Sequence, residues 1–188
     1  MKKIKITSNK GILFWITGLS GSGKTTIAKL VKKKISLRYG PTLLFSGDDL
    51  RKIFHLNKFD KKSRLSNGLK FSKFCKFITD QKINVIFAVV GMFHKVRNQN
   101  RKIIKNYIEI YIRSNIDDII SQKKKEIYKK SKKNIVGLDI LAQLPQKPDI
   151  IIKNDFTKSV KILNQELEKS LKKIILSKKK ILLKNKNQ

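Results

Sequence analysis

Gly18-Leu19-Ser20-Gly21-Ser22-Gly23-Lys24-Thr25 satisfies the pattern G-x-x-x-x-G-K-[ST], and most of the fold can be read outward from it. The glycines let successive backbone N–H groups turn inward around phosphate oxygens, where side chains would block the cradle. Lys24 is placed to reach the β and γ phosphates of ATP and the Thr25 hydroxyl to ligate Mg²⁺. The positive end of the following helix adds to the pull on anions. A chance match to four fixed positions in a chain this long is on the order of one in a hundred at ordinary residue frequencies. The context strengthens it, because the apolar run Ile12 to Thr17 comes directly before the loop and Thr26-Ile27-Ala28 opens a helix directly after.

Beyond the loop, apolar runs alternate with stretches of helical spacing, the pattern of a parallel sheet with crossover helices. Strands are expected at Ile12–Thr17, Thr42–Ser46, Val85–Val90, Ile108–Ile112 and Ile150–Ile152, all short and Ile-, Val- or Phe-rich, as strands buried on both faces are. The clearest helices are Lys24–Leu37, Ser63–Gln81 and Thr157 to about Ser177, the last with Val160, Leu163, Leu167, Leu171 and Ile174 along one stripe. The fold class is α/β: a three-layer P-loop fold with a five-stranded parallel sheet flanked by helices. One domain is expected over residues 1–176, with a lid region at about 121–148, where the sequence turns Lys-rich and carries Gly137, Pro145 and Pro148. Residues 177–188 read as a lysine-rich C-terminal tail.

Of the 188 residues 40% are hydrophobic and 8% aromatic, enough for a core. The single cysteine, Cys75, fits a reducing cytoplasm. Basic Met1 to Lys5 followed by apolar Ile12 to Ile16 superficially resembles a signal peptide, but the run is short and serves better as the strand the loop needs. Nothing approaches the roughly 18 to 20 apolar residues of a membrane span, so a cytoplasmic protein without a membrane partner is expected. A net charge of +32 invites a nucleic-acid reading. Only six of the 45 basic residues are Arg, however, and nucleic-acid readers cluster Arg and aromatics. The lysines read instead as a field that draws in anionic nucleotides. The expected partner is a small-molecule nucleotide rather than nucleic acid, and a homodimer is an assembly the sequence allows.

Motor and switch ATPases place a metal-binding carboxylate at the end of a second apolar strand, whereas Val85–Val90 ends in Gly91-Met92. The substitute is Asp48, just past Thr42–Ser46, since the active groups of open parallel sheets gather beyond the carboxyl ends of strands. Asp48 is expected to serve the metal with Thr25 or to accept a proton from an acceptor hydroxyl. The competing reading of Asp48-Asp49 is a helix N-cap before Leu50, a role assigned to Asp49 sooner than Asp48. Arg51 follows on the same face, and Arg64 and Asn67 are three apart at the start of the next helix. In a chain that spells its cations as Lys, a retained Arg suggests a two-bonded grip on phosphate or sulfate, with a surface salt bridge as the equal alternative for each taken alone. His55, His94 and Cys75 lack metal-site spacing.

Taken together, these motifs resemble the adenylylsulfate (APS) kinase family over roughly Ile12 to Thr157. The family's G-L-S-G-S-G-K-T-T stands in full at Gly18 to Thr26, and its D-G-D-x-x-R appears as Ser46-Gly47-Asp48-Asp49-Leu50-Arg51. Its F-S…R-x-x-N corresponds to Phe59-Asp60 and Arg64-Leu65-Ser66-Asn67, and its G-I-D and P-x-x-P-[ED] to Gly137-Leu138-Asp139 and Pro145 to Asp149. Arg97, Arg101 and Tyr107 to Tyr111 are similar to its basic segment and the strand that follows.

The resemblance implies transfer of the γ-phosphate of ATP to the 3′-hydroxyl of adenosine 5′-phosphosulfate, with Lys24 and Asp48 catalytic and Mg²⁺ held at Thr25 and Asp48. It implies that Gly18 to Thr26 bind ATP, that Arg51, Arg64 and Asn67 hold the acceptor, and that Phe59 stacks on its base. It implies too that Asp48 and Lys125 contact the substrate, Lys125 standing at the lysine of the family's lid, R-D-P-K-G-L-Y, which here reads Gln122 to Tyr128. Other departures are Ser46 for the first Asp of D-G-D, Gly91 for the serine of I-S-P, and Ile135-Val136 for the F-T before G-I-D. The last removes one aromatic wall of the base pocket, and a base–aromatic contact is worth about 1 to 3 kcal/mol. A second reading therefore stays open, a same-family kinase for another activated nucleotide such as a cytidine-diphosphate-linked group in surface-polysaccharide synthesis. A third is an inactive P-loop protein whose basic surface binds nucleic acid.

Overall fold

The computed structural model describes residues 9–122 and 134–184, with 176–184 as backbone alone. Lys125 and the remainder of segment 123–133, the middle of the expected lid, lie outside the described residues, as do residues 1–8 and 185–188. In chain order the elements are β1 (Leu13–Thr17), α1 (Lys24–Tyr39), β2 (Thr42–Ser46), α2 (Gly47–Ile53), α3 (Lys61–Asp80) and β3 (Asn84–Val89), followed by α4 (His94–Ile103), β4 (Tyr107–Arg113), α5 (Ile116–Ser121), β5 (Ile150–Lys153) and α6 (Val160–Lys184). Every expected strand forms, within two residues of its expected ends. α6 continues to Lys184, through the position where the tail was expected to begin.

All five strands pair in parallel in the order β2-β3-β1-β4-β5. β1 lies at the centre and all five of its residues are buried, which is why its sequence is continuously apolar rather than alternating. Its side chains divide between two cores. Phe14 and Ile16 pack with Ile27, Val31 and Ile35 of α1 and with Leu163, Leu167 and Leu171 of α6. Leu13 and Trp15 pack on the other face with Leu50 of α2, Phe71 and Cys75 of α3 and Val96 of α4.

This order sets where a ligand can sit. The chain leaves β1 toward β2 on one side, and leaves β3 toward β4 on the other, so the connections part between the carboxyl ends of β1 and β3. That divergence opens a crevice, the usual ligand position in open parallel sheets. Thr17 Oγ1 donates to Val90 O at 2.6 Å, tying the two strand ends together at the crevice floor.

Candidate active site

The loop Gly18–Gly23 joins β1 to α1 at this crevice. A Cβ on Gly18 would stand 2.5 Å from Ile112 O, so only glycine lets the loop lie against the end of β4. Gly23 caps α1 with φ of 89°, a left-handed conformation, and no side chain caps the helix. No capping side chain therefore competes with an anion at this helix end, as the cradle requires. Asn154, just past β5, donates from Nδ2 to Ser22 O at 3.1 Å and holds the loop from behind. Lys24 is buried, and its Nζ donates to Leu19 O at 2.6 Å. Thr25 and Thr26 are exposed at the mouth of the helix.

A cleft of about 370 Å³ runs from this loop across the ends of β2 and β3. Ser20, Gly21 and Gly23 to Thr26 line one end, and Asp48, Arg51, Phe59 and Arg64 line the other. Thus residues that the sequence reading drew from three separate motifs meet in one space. Gly18, Leu19 and Ser22 shape the loop from beneath. Asn67 is buried at 6% exposure, and on its turn of α3 the cleft is lined by Arg64 and Gly68.

The start of α2 departs from the expected capping. Neither aspartate is the N-cap; Ser46 is, its Oγ accepting from Asp49 N–H while the Asp49 carboxylate accepts from Ser46 N–H. The box consumes Asp49 and leaves the carboxylate of Asp48 facing the cleft. α3 begins with a similar device, Asp60 accepting from Ser63 N–H at 2.9 Å, which sets the turn that carries Arg64.

Both guanidinium groups pack on the Phe59 ring, Arg51 at 4.9 Å and Arg64 at 5.3 Å from its centroid. Arg64 also donates to Phe59 O at 2.6 Å and to Asn134 O at 3.0 Å, joining α3 to the segment that follows the undescribed stretch. Burial lowers the affinity of Arg51 for its proton, opposed by the nearby charge of Asp48. Burial acts the same way on Arg64, reinforced by the charge of Arg51. Two partly desolvated cations beside one carboxylate form a site suited to an anionic substrate.

The sequence reading missed the cleft's apolar side: Trp15, Phe71, Met92, Phe93 and Val96, with Gly91 between them. Because β1 is apolar on both faces, its sequence held no signal for which face Trp15 takes; the packing puts that ring with Leu50 of α2 and Phe71 of α3. Ile135 and Val136, which depart from the family pattern, also border the cleft.

Arg97 and Glu109, each 3% exposed, make a buried ion pair at 3.3 Å, and Arg101 reaches the same carboxylate at 2.8 Å. Arg97 also donates to Gly91 O, Gln143 O and Leu144 O. It thereby pins the coil after β3 to the segment 143–144. Burial holds the Glu109 carboxyl above its usual range against the pull of both arginines, the mark of a structural pair. Burial likewise pushes the Cys75 thiol up, leaving it inert. Among the described residues no three His, Cys, Asp or Glu side chains group to hold a metal, and no helix is long and apolar enough to cross a membrane.

A phosphate loop at the divergence of a parallel sheet, facing a carboxylate and two arginines across one cleft, defines a P-loop nucleotide kinase. The family model described as adenylylsulphate kinase matches residues 10–153, and the chain belongs to that family. The cytidine diphosphoramidate kinase of Campylobacter jejuni is 36% identical over 172 residues, covering 89% of this chain and 99% of that protein. The adenylyl-sulfate kinase of Clostridium acetobutylicum is 35% identical over 156 residues, covering 79% of this chain and 77% of that one. The solved structure of the Mycobacterium tuberculosis APS kinase CysC in complex with AMPPNP and APS superposes with a TM-score of 0.77 at 25% identity. That match covers 87% of this chain and 98% of that one.

Proposed function

We propose that this protein transfers the γ-phosphate of ATP to a ribose hydroxyl of an activated nucleotide, with a cytidine-linked phosphoramidate as acceptor. The observation that carries the reading is the position of Asp48, which shares one cleft with Lys24 and Thr25 on the ATP side and with Arg51, Phe59 and Arg64 on the other. Backbone N–H groups of Gly21 and of Gly23 to Thr25 hold the β and γ phosphates. Lys24 exchanges its bond to Leu19 O for the transferring phosphoryl group. Asp48 accepts the proton of the attacking hydroxyl, while Arg51 and Arg64 fix the acceptor's anionic group so that attack is in line. Mg²⁺ typically uses only one or two protein ligands beside phosphate and water, and the Thr25 hydroxyl and Asp48 carboxylate fit that need. When bound, it neutralises charge on the phosphate oxygens.

The cytidine-linked acceptor is favoured by the Campylobacter relative, which this chain matches over nearly that protein's whole length, and by the aliphatic Ile135 and Val136 that border the cleft along with Phe59. A smaller ring needs less stacking surface. Adenosine 5′-phosphosulfate, and with it a place in sulfate assimilation, is the second reading, favoured by the family model and by the clostridial relative. A cytoplasmic location, a homodimeric assembly and one kinase domain with its lid at about 121–148 complete the proposal.

The test is a coupled ADP-release assay with cytidine diphosphoramidate and APS as acceptors, with and without Mg²⁺. Higher kcat/KM on the cytidine compound supports the first reading, and the reverse order replaces it with the second. ADP release on neither acceptor sinks the kinase reading.

A further inference from the structure

Trp15 is the protein's only tryptophan. Its side chain is fully buried, with the ring centroid 5.0 Å from that of Phe87 and the planes 34° apart. The indole Nε1–H has no hydrogen-bond partner and no surface open to water. A buried donor left so costs about 1 to 3 kcal/mol, and buried tryptophan N–H groups usually find an acceptor. Stacking on Phe87 does not supply one, because the N–H lies in the indole plane and does not aim at that ring's face.

The N–H lies beside the cleft. Trp15 and Gly91 both border it, and a Cβ on Gly91 would stand 3.2 Å from Nε1. The glycine, at φ of 46°, therefore keeps the space next to the donor free of a side chain. Gly91 belongs to residues 90–93, which form neither helix nor strand, and an incoming atom reaches the N–H only by displacing this coil against the bonds that Thr17, Arg97 and Gln143 make to it. The location also selects the substrate. Trp15 lies on the sheet face with Leu50, Phe71, Met92, Phe93 and Val96, whereas α1 packs on the opposite face.

We propose that Trp15 Nε1–H is a specificity-determining donor for the acceptor nucleotide, satisfied by an oxygen or ring nitrogen of that molecule as it seats beside Gly91. The inference rests on the reading of the cleft as a kinase site with a nucleotide acceptor.

With one tryptophan, the ¹⁵N-labelled full chain gives one indole N–H resonance. Saturation with whichever of cytidine diphosphoramidate or APS the protein turns over is expected to move that resonance downfield, and ATP with Mg²⁺ is expected to leave it near its starting position. In kinetics, Trp15→Phe is expected to raise the acceptor KM about five- to ten-fold while the KM for ATP and kcat hold. An indole resonance that stays put at acceptor saturation overturns the inference and leaves the kinase reading intact. So does one that moves with ATP alone, and so does a Trp15→Phe protein that loses kcat and thermal stability with its acceptor KM unchanged. Wild-type protein that turns over neither acceptor overturns both readings. The spectrum needs no variant, so a Trp15→Phe chain that fails to fold does not remove the test.

Discussion

Ser46 and Asp49 hold each other at the start of α2, the Asp49 carboxylate accepting from Ser46 N–H at 2.8 Å and Ser46 Oγ accepting from Asp49 N–H at 3.1 Å. This reciprocal cap separates two adjacent aspartates into different jobs. Asp49 stabilises the helix, and Asp48 is left to face the cleft.

Asp48→Asn is therefore expected to cut kcat by at least about a hundred-fold, the usual worth of a positioned base, with a melting temperature close to wild type. Asp49→Ala should do the opposite, lowering stability by roughly 0.5 to 2 kcal/mol as lost caps do while retaining most turnover at low temperature. Thermal melts read beside initial rates separate the two; equal damage from both changes would contradict the division.

Lys24 Nζ sits within hydrogen-bond distance of a carbonyl of its own loop. Lys24→Ala should abolish detectable ADP release. Because the lysine is largely buried, Lys24→Met is the better control for packing, and it should be equally inactive while folding normally by circular dichroism.

Arg64 makes two directed bonds to carbonyls and packs on Phe59. A lysine cannot reproduce that planar fork. Arg64→Lys is expected to raise the acceptor KM about ten-fold or more, as loss of a charged hydrogen bond does, and to leave the KM for ATP unchanged. An equal rise in both would show that Arg64 serves the nucleotide triphosphate instead.

The Asp60 carboxyl is held below its usual range by its bonds from Ser63. A carboxylate depressed in the folded state adds stability that is fully present above its unfolded pKa of about 3.9 and is lost as pH falls through the lower folded value. Wild type should thus exceed Asp60→Ala in melting temperature by a constant margin from neutrality down to about pH 5. The margin should narrow below about pH 4. A margin that widens on acidification would contradict this assignment.

Glu109 neutralises Arg97 in a dry setting. Removing one member of a buried pair commonly costs roughly 3 to 5 kcal/mol, so Glu109→Ala is expected to destabilise by about that much in urea titrations. Since Arg97 also holds Gly91 O, protein that still folds should show a raised acceptor KM. Unaltered acceptor affinity would mean that the coil after β3 keeps its position without the pair.

What could be read from the sequence by itself was whatever depends on neighbours along the chain. The phosphate loop, its preceding strand and its following helix lie within 28 consecutive residues, Leu13 to Gly40, and steric demands on glycine, lysine and strand periodicity are already written at that range. The same holds for the five strands and for Asp48, Arg51 and Arg64, whose motifs are short. The capping of α2 was misassigned because an aspartate is a good cap in isolation, and the choice of Ser46 depends on where β2 ends. The opposite wall of the cleft was decided only in three dimensions. Trp15 meets Gly91 because β1 pairs beside β3, Arg97 meets Glu109 because α4 packs beside β4, and Arg64 reaches Asn134 across 70 residues of chain. Side chains that distant become partners only through strand register and helix packing, and no local spacing encodes either.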